Sequence, residues 1–368
     1  MNIGLTFVWL TNQTYRRQTD KQSLLNISVI IPVRNEAENI INLLKDLARQ
    51  SYPKDRFEVI VADDDSTDET LALVKNFQKV VSIELVINTI LPDERNVSPK
   101  KRAIESSIQL ARGELIVTTD GDCRVGEEWL ETIANFQTEK DAYLISAPVT
   151  FINDAKNWLK SLWQQIQTVE FSSLIGSGAC SVIMKKPNMC NGANLAYLKS
   201  VFYEVGGFSG NENLASGDDE FLMHKIATRF PDKVHFLKSQ AVIVETQAHD
   251  SLKSFYYQRK RWASKWKYYD SFFTTVLAVF IFLANFSLIV TAVSFGFRQL
   301  DLTQLLIIFL LKFSAELLFL IFVLSFLGKK NLIWLIPFVQ LMYPLYVTFF
   351  GLVTQGKNEY IWKGRKLR

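Results

Sequence analysis

From residue 26 onward, two hydrophobic rhythms take turns along the chain. Continuous apolar runs rich in β-branched residues fall at 27–32, 57–62, 83–87 and 114–122, the last ending in carboxylates. Between them, apolar residues recur at three- and four-residue spacing. These stretches are 36–50 (with Ile40, Leu43, Leu44 and Leu47), 70–77 and 101–111. Runs of the first kind predict buried strands, and those of the second predict amphipathic helices. Their alternation predicts an α/β domain on a mostly parallel, doubly wound sheet. Further on, 127–136 predicts a helix, 143–151 a strand, and 158–174 an amphipathic helix rich in Trp and Gln. Gly176-Ser177-Gly178 and Asn191-Gly192-Ala193-Asn194 are loop signals. Ser216-Gly217-Asp218-Asp219-Glu220 predicts an acidic loop entering a helix, whose N-terminus tolerates negative charge.

After residue 270 the alternation stops. Residues 272–297 carry no charge and exceed the roughly 20 residues that cross a bilayer. Residues 302–327 and 332–354 are two further candidate spans. Lys312 and Glu316 are four apart on one helical face, so pairing lowers the cost of burying either. Pro337 and Pro344 predict kinks in the third span. Ahead of the spans, residues 251–269 contain Gln258-Arg259-Lys260-Arg261-Trp262, with Trp266 four residues beyond Trp262. A helix there is basic and aromatic on one side, which suits a membrane interface. Positive charge gathers before the first span (Lys253, Arg259, Lys260, Arg261, Lys265, Lys267) and after the third (Lys357, Lys363, Arg365, Lys366, Arg368). The positive-inside rule draws both flanks to the cytoplasm, whereas three full spans put them on opposite sides. The first flank adjoins the α/β domain and is taken to set its cytoplasmic orientation at the inner or plasma membrane. Residues 1–10 are apolar but too short to span, and Arg16, Arg17 and Lys21 follow. They predict a membrane-lying segment or the end of a longer spanning helix.

Composition narrows the classes. Hydrophobic residues make up 48% and charged residues 21%, and a net charge of +4 is too small to argue for nucleic acid. Cys123, Cys180 and Cys190 lie far apart, as do His224, His235 and His249. Neither a zinc site nor a disulfide framework is indicated, and a reducing, cytosol-facing domain fits. No GxGxxG or GxxxxGK[ST] occurs, which removes the glycine-rich nucleotide loops.

The chemistry lies at strand ends, where open α/β sheets gather their ligands. Asp63-Asp64 follows the second run, and Asp120-Gly121-Asp122 ends the fourth. If that strand continues through Asp122, both carboxylates share one side of the backbone. Hard carboxylate oxygens there suit Mg²⁺ or Mn²⁺ with a phosphate-bearing ligand. Taken singly, each acidic cluster is an ordinary turn or cap.

Taken together they carry a resemblance. Val29-Ile30-Ile31-Pro32-Val33-Arg34-Asn35-Glu36, Asp63-Asp64-Asp65-Ser66-Thr67-Asp68, Asp120-Gly121-Asp122, Ser216-Gly217-Asp218-Asp219-Glu220 and Gln258-Arg259-Lys260-Arg261-Trp262 occur in this order. The set resembles glycosyltransferase family 2, with the GT-A fold, over about residues 26–267. The tail resembles the family's membrane-anchored branch. The resemblance implies a GT-A catalytic domain at 26–250, behind a lead segment at 1–25. It further implies an interfacial segment at 251–270, a membrane region at 271–356 and a basic tail at 357–368.

It also implies roles. Pro32, Arg34, Glu36, Asp63, Asp64 and Asp120 bind the nucleotide sugar, and carboxylates suit a uracil imide or ribose hydroxyls. Asp120 and Asp122 hold Mg²⁺ or Mn²⁺ against the diphosphate. Asp219 is the catalytic base, with Asp218 beside it where glutamate is more common. Gln258, Arg261 and Trp262 form the acceptor and diphosphate side. Two further departures are Asp65, where glycine is usual, and Gly121, where alanine is commoner. The implied activity is inverting sugar transfer from a nucleotide-diphosphate sugar to a lipid or lipid-linked glycan. A processive polysaccharide synthase and a catalytically inactive nucleotide-sugar-binding membrane protein remain as alternatives.

Overall fold

The computed structural model describes residues 1–17, 24–90, 98–212, 214, 217–264, 272–353, 360–362 and 365–367. In chain order its elements begin with α1 (Asn2–Thr11), β1 (Ile27–Val33), α2 (Ile40–Ala48), β2 (Phe57–Asp63), α3 (Thr70–Gln78) and β3 (Glu84–Thr89). Next come α4 (Pro99–Leu110), β4 (Leu115–Thr118), α5 (Trp129–Lys140), β5 (Leu144–Ser146), β6 (Val149–Phe151) and α6 (Trp158–Ile183). β7 (Leu195–Leu198), α7 (Lys199–Glu204), α8 (Asp218–Arg229), β8 (Val234–Phe236) and β9 (Val244–Thr246) follow. Then come α9 (Leu252–Ser264), α10 (Phe272–Gly296), α11 (Leu302–Phe326) and α12 (Ile336–Val353), and the antiparallel pair β10 (Tyr360–Trp362) and β11 (Arg365–Leu367) closes the series. The chain divides into two compact units. One comprises Thr11–Ile152 and Ser177–Gln247; the other comprises Met1–Leu10, Asn153–Gly176 and Ala248–Arg368.

The first unit is built on a seven-stranded sheet of order β3-β2-β1-β4-β7-β5-β8. β3, β2, β1 and β4 run parallel, β7 runs antiparallel to both its neighbours, and β8 is parallel to β5. Every residue of β2 and β4 is buried, as expected of strands covered on both faces. Pairing of Val33 with Asp63 and of Ile30 with Thr118 brings the carboxyl ends of β1, β2 and β4 to one edge.

Three expectations need correction here. β4 stops at Thr118, and the Cys123 N–H donates to the Asp120 carbonyl at 3.1 Å, closing a turn. Asp120 and Asp122 therefore do not share a strand face. The single strand expected over 143–151 is two, separated at Ala147-Pro148. Proline cannot donate to a ladder, and β6 leaves the main sheet to pair with β9 instead. Gly176-Ser177-Gly178, taken as a loop signal, lies inside α6. A Cβ on Gly178 would sit 2.8 Å from Met189 Cγ, so close approach accounts for this glycine.

The second unit contains α1, the first part of α6 and α9–α12. Thr274–Gly296, Leu302–Phe326 and Lys330–Val353 are long and apolar enough to cross a membrane. Val169 of α6 packs with Leu320, Leu324, Leu335, Ile336 and Val339. At Gly176 a Cβ would lie 2.7 Å from Val323 Cγ2 and 2.9 Å from Phe319 Cζ, so only glycine lets α6 and α11 touch there. Trp9 is buried edge-on against Phe319 and Phe326. Lys312 pairs with Glu316 at 3.2 Å as its spacing predicts, and also donates to Asn285 of α10 at 3.2 Å. Pro344 lies inside α12, while Pro337 falls in its first turn, where no intrahelical donor is lost. Ser216, Lys21, Lys265, Trp266, Lys267, Lys357, Lys363 and Arg368 lie outside the described residues.

Candidate active site

The β1 and β2 ends are locked together. Pro32 sits in β1 opposite Ala62. Arg34, buried just beyond the strand, donates through Nη1 to the carbonyls of Asp64 and Asp65, each at 2.5 Å. Asp65 has φ +55°, the left-handed region that aspartate tolerates better than most residues. That conformation suits the glycine that the family resemblance implies at this position. Glu36 is buried; its N–H donates to Thr70 Oγ1 at 2.8 Å, and its Oε2 accepts from Asn39 at 2.9 Å.

Asp63 and Asp64 are each 2% exposed. Asp63 Oδ2 accepts from the Ser66 N–H at 3.3 Å, and its buried Oδ1 has no hydrogen-bond partner among the described residues. A buried acceptor of this kind is costly unless a ligand donor completes it. Asp64 forms an ion pair with Arg102 at 3.4 Å.

The third cluster is held by sterics and charge. Gly121 has no positive φ, so its role is not conformational. A Cβ there would lie 2.9 Å from Val33 Cγ1 and 3.0 Å from Glu36 Cγ. The missing side chain lets the acidic turn settle on the β1 end. Lys100 Nζ lies 2.7 Å from Asp120 Oδ1 and 3.6 Å from Asp218 Oδ2. Burial opposes the charge on Lys100, but Asp120, Asp218 and Asp219 outweigh it and raise its pKa. Burial, and then the neighbouring Asp120, push Asp122 up to about 6, against a bond from Thr246 that lowers it.

Asp218 and Asp219 occupy the first turn of α8, after Gly217 at φ +82°. Asp219 Oδ2 accepts the Gly192 N–H at 2.9 Å, and its Oδ1 accepts the Glu220 N–H at 2.8 Å. The 191–194 turn is rigid in its own right. Asn191 caps it, and Asn194 is fully buried, accepting from Trp129 and donating to the carbonyls of Pro148 and Val242.

Asp63, Asp64, Asp120, Asp122, Asp218 and Asp219 thus all belong to the unit that holds the sheet. Gln258, Arg261 and Trp262 belong to the other unit, on α9. There Gln258 Oε1 accepts from Arg259 Nη1 at 2.5 Å, and Trp262 leans on Phe171 with ring centroids 5.9 Å apart. Sequence reasoning missed Lys100 and Arg102. Three cations, Lys100, Lys101 and Arg102, crowd the first turn of α4, where the helix dipole disfavours positive charge. That misplacement was the available signal. Lys101 proves to be structural, donating to Asn211 and lying over the Phe221 ring.

The carboxylates fit a divalent cation. Among the described residues no group of three or more His, Cys, Asp or Glu side chains forms a metal cage. Two carboxylates, one buried and raised to about 6, suit Mg²⁺ or Mn²⁺ completed by phosphate oxygens and water.

The mostly parallel sheet with carboxylates at its strand ends is a GT-A fold. The family model for glycosyl transferase family 2 matches residues 28–206. Residues 28–206 thus carry a family 2 glycosyltransferase domain. Glycosyltransferase AglE of Haloferax volcanii is 29% identical over 194 residues, 52% of this chain and 58% of the relative. The dodecaprenyl-phosphate galacturonate synthase of Rhizobium johnstonii is 36% identical over 114 residues, 30% and 32% of the two chains. The matched region is therefore less than two thirds of either relative. The fold is similar to that of a Pyrobaculum calidifontis mannosyltransferase solved with GDP-Man and Mn²⁺. The TM-score is 0.51 at 20% identity, over 72% of this chain and 70% of that one.

Proposed function

We propose that the protein is a membrane-bound, metal-dependent, inverting glycosyltransferase. It takes its sugar from a nucleotide-diphosphate donor and passes it to a lipid or lipid-linked glycan. The observation that carries this reading is Lys100, which reaches Asp120 and Asp218 together and so joins the diphosphate-side and base-side clusters.

The base and ribose lie against the β1 and β2 ends. Asp63 offers its buried Oδ1, Asp64 is steadied by Arg102, and Arg34 fixes the 64–65 backbone. Pro32 and Glu36 line the same end. Asp120 and Asp122 would hold the divalent cation, which supplies positive charge to the leaving diphosphate. Lys100 adds a cation of the protein's own beside it. Asp219 takes the proton from the acceptor hydroxyl, whose oxygen attacks the anomeric carbon as the bond to the nucleoside diphosphate breaks. A single displacement of this kind inverts the anomeric centre. Gly192 aims the Asp219 carboxylate, and Asp218 keeps Lys100 within reach of both clusters. Arg261 serves the diphosphate side, and Gln258 and Trp262 serve the acceptor side.

Three candidate spans support membrane residence, and the basic flank around α9 supports a cytoplasmic catalytic domain. An anchored enzyme suits an acceptor that is itself in the membrane. The test is transfer of labelled sugar from UDP- or GDP-sugars to membrane lipid extracts with Mn²⁺ present. Labelled lipid is expected, and its absence across donors and extracts overturns the reading. A ladder of long products would favour the processive synthase.

A further inference from the structure

We propose that Arg259 is a positioning residue for the acceptor-side helix, an inference that rests on the glycosyltransferase reading above. The motif that singles out Gln258, Arg261 and Trp262 gives Arg259 no role of its own. Yet Arg259 is 2% exposed and is the hub of this part of the unit. Its guanidinium forms an ion pair with Glu170 of α6. Nη1 donates to Gln258 Oε1 at 2.5 Å. The same group lies 4.4 Å from the Trp262 ring centroid and 4.6 Å from that of Phe255.

Glu170 is shared. Its Oε1 accepts the Tyr346 hydroxyl of α12 at 3.0 Å, so one carboxylate ties α9 to α6 and to a candidate span. Phe171, next to Glu170, also packs against Trp262, with ring centroids 5.9 Å apart. An Arg fork bonded, stacked and paired at once has little rotameric freedom. Gln258 and Trp262, one turn apart on α9, take their orientation from it. A buried charge with these partners is expensive to keep and costly to break, so its value lies in fixing one geometry.

The experiment uses the full-length chain in lipid nanodiscs, labelled with 5-fluorotryptophan. Trp262→Phe identifies the Trp262 fluorine resonance. Arg259→Gln is expected to move that resonance and to leave the nucleotide-sugar-induced thermal shift at its parental size. It is also expected to lower transfer kcat about 100-fold with the donor KM unchanged, the cost of a misplaced group. Tyr346→Phe removes only the hydroxyl bond to Glu170 and is expected to act in the same direction by about 3–10-fold. It serves if Arg259→Gln does not fold. Combining Arg259→Gln with Glu170→Gln removes both charges, and part of the lost rate is expected to return.

An unmoved Trp262 resonance, or a parental transfer rate in both Arg259→Gln and Tyr346→Phe, overturns the proposal. Loss of the donor-induced shift also overturns it, because Arg259 then acts on the donor. If the parental protein transfers no sugar but the resonance moves, the functional reading fails while the positioning contact stands.

Discussion

Lys100 donates to Asp120 across 2.7 Å, from the first turn of α4 to the turn that follows β4. A cation so placed offsets the crowding of carboxylates and leaves positive charge where a diphosphate would lie. Charge-assisted bonds of this kind contribute about 1.5–3 kcal/mol, or roughly 10–100-fold in rate. Lys100→Met is expected to lower kcat/KM for the donor by about that factor, and Lys100→Arg to retain part of it. Steady-state kinetics with varied nucleotide sugar measure this, and unchanged kinetics in Lys100→Met would remove Lys100 from the site.

Gly121 yields a steric prediction. The family resemblance implies alanine at this position, but here its Cβ would meet Val33 Cγ1 at 2.9 Å. Gly121→Ala is expected to destabilise by about 1–3 kcal/mol, as overpacking does. Trimming the neighbour in Val33→Ala/Gly121→Ala is expected to relieve the clash. Melting temperatures of the two variants decide the matter; if Gly121→Ala melts with the parent, the close packing is not limiting.

Gly176 allows a similar test within α6. On helix propensity alone, alanine gains up to about 1 kcal/mol. The 2.7 Å approach to Val323 opposes that gain. Gly176→Ala is therefore expected to lower the melting temperature despite the better helix former, and a rise would contradict the contact.

These two glycines also mark the limit of what the sequence discloses. The apolar runs at β1, β2 and β4, and the carboxylates beyond them, were legible because buried parallel strands are continuously apolar and end in charge. Gly176-Ser177-Gly178 was not, because a glycine used for helix contact has the same letters as a glycine used for a turn. β7, β8 and β9 span three or four residues, too few for any periodicity to register. The site's carboxylates were found by motif, whereas Lys100 and Arg102 belong to no acidic cluster and emerged only from their distances. Arg259 was passed over because its neighbours held the motif.

His249 gives the pH dependence. Burial holds it near 4, with Arg259 and Arg261 adding to the fall and a bond to Gln258 opposing it. Its folded pKa lies below the ordinary value of 6.5, so the unfolded chain binds the extra proton between those values. Stability from this group is present above about pH 6.5 and is lost as the pH falls toward 4. Acidification from pH 7 to 5 is expected to cost about 1–2 kcal/mol through His249, while Asp122, raised to about 6, acts in the opposite sense over the same range. The His249 part is therefore read as the difference between parent and His249→Asn. The variant is expected to gain stability relative to the parent as the pH falls from 7 to 5, and melting curves that run parallel would contradict it.

The central claim is that Asp219 is the base. Asp219→Asn keeps the size of the group and a carbonyl oxygen for the Gly192 N–H, but can no longer take a proton at neutral pH. The account predicts that the full-length variant retains its nucleotide-sugar-induced thermal shift while transfer of labelled sugar to lipid falls by at least about 100-fold. Full transfer activity in Asp219→Asn would contradict it.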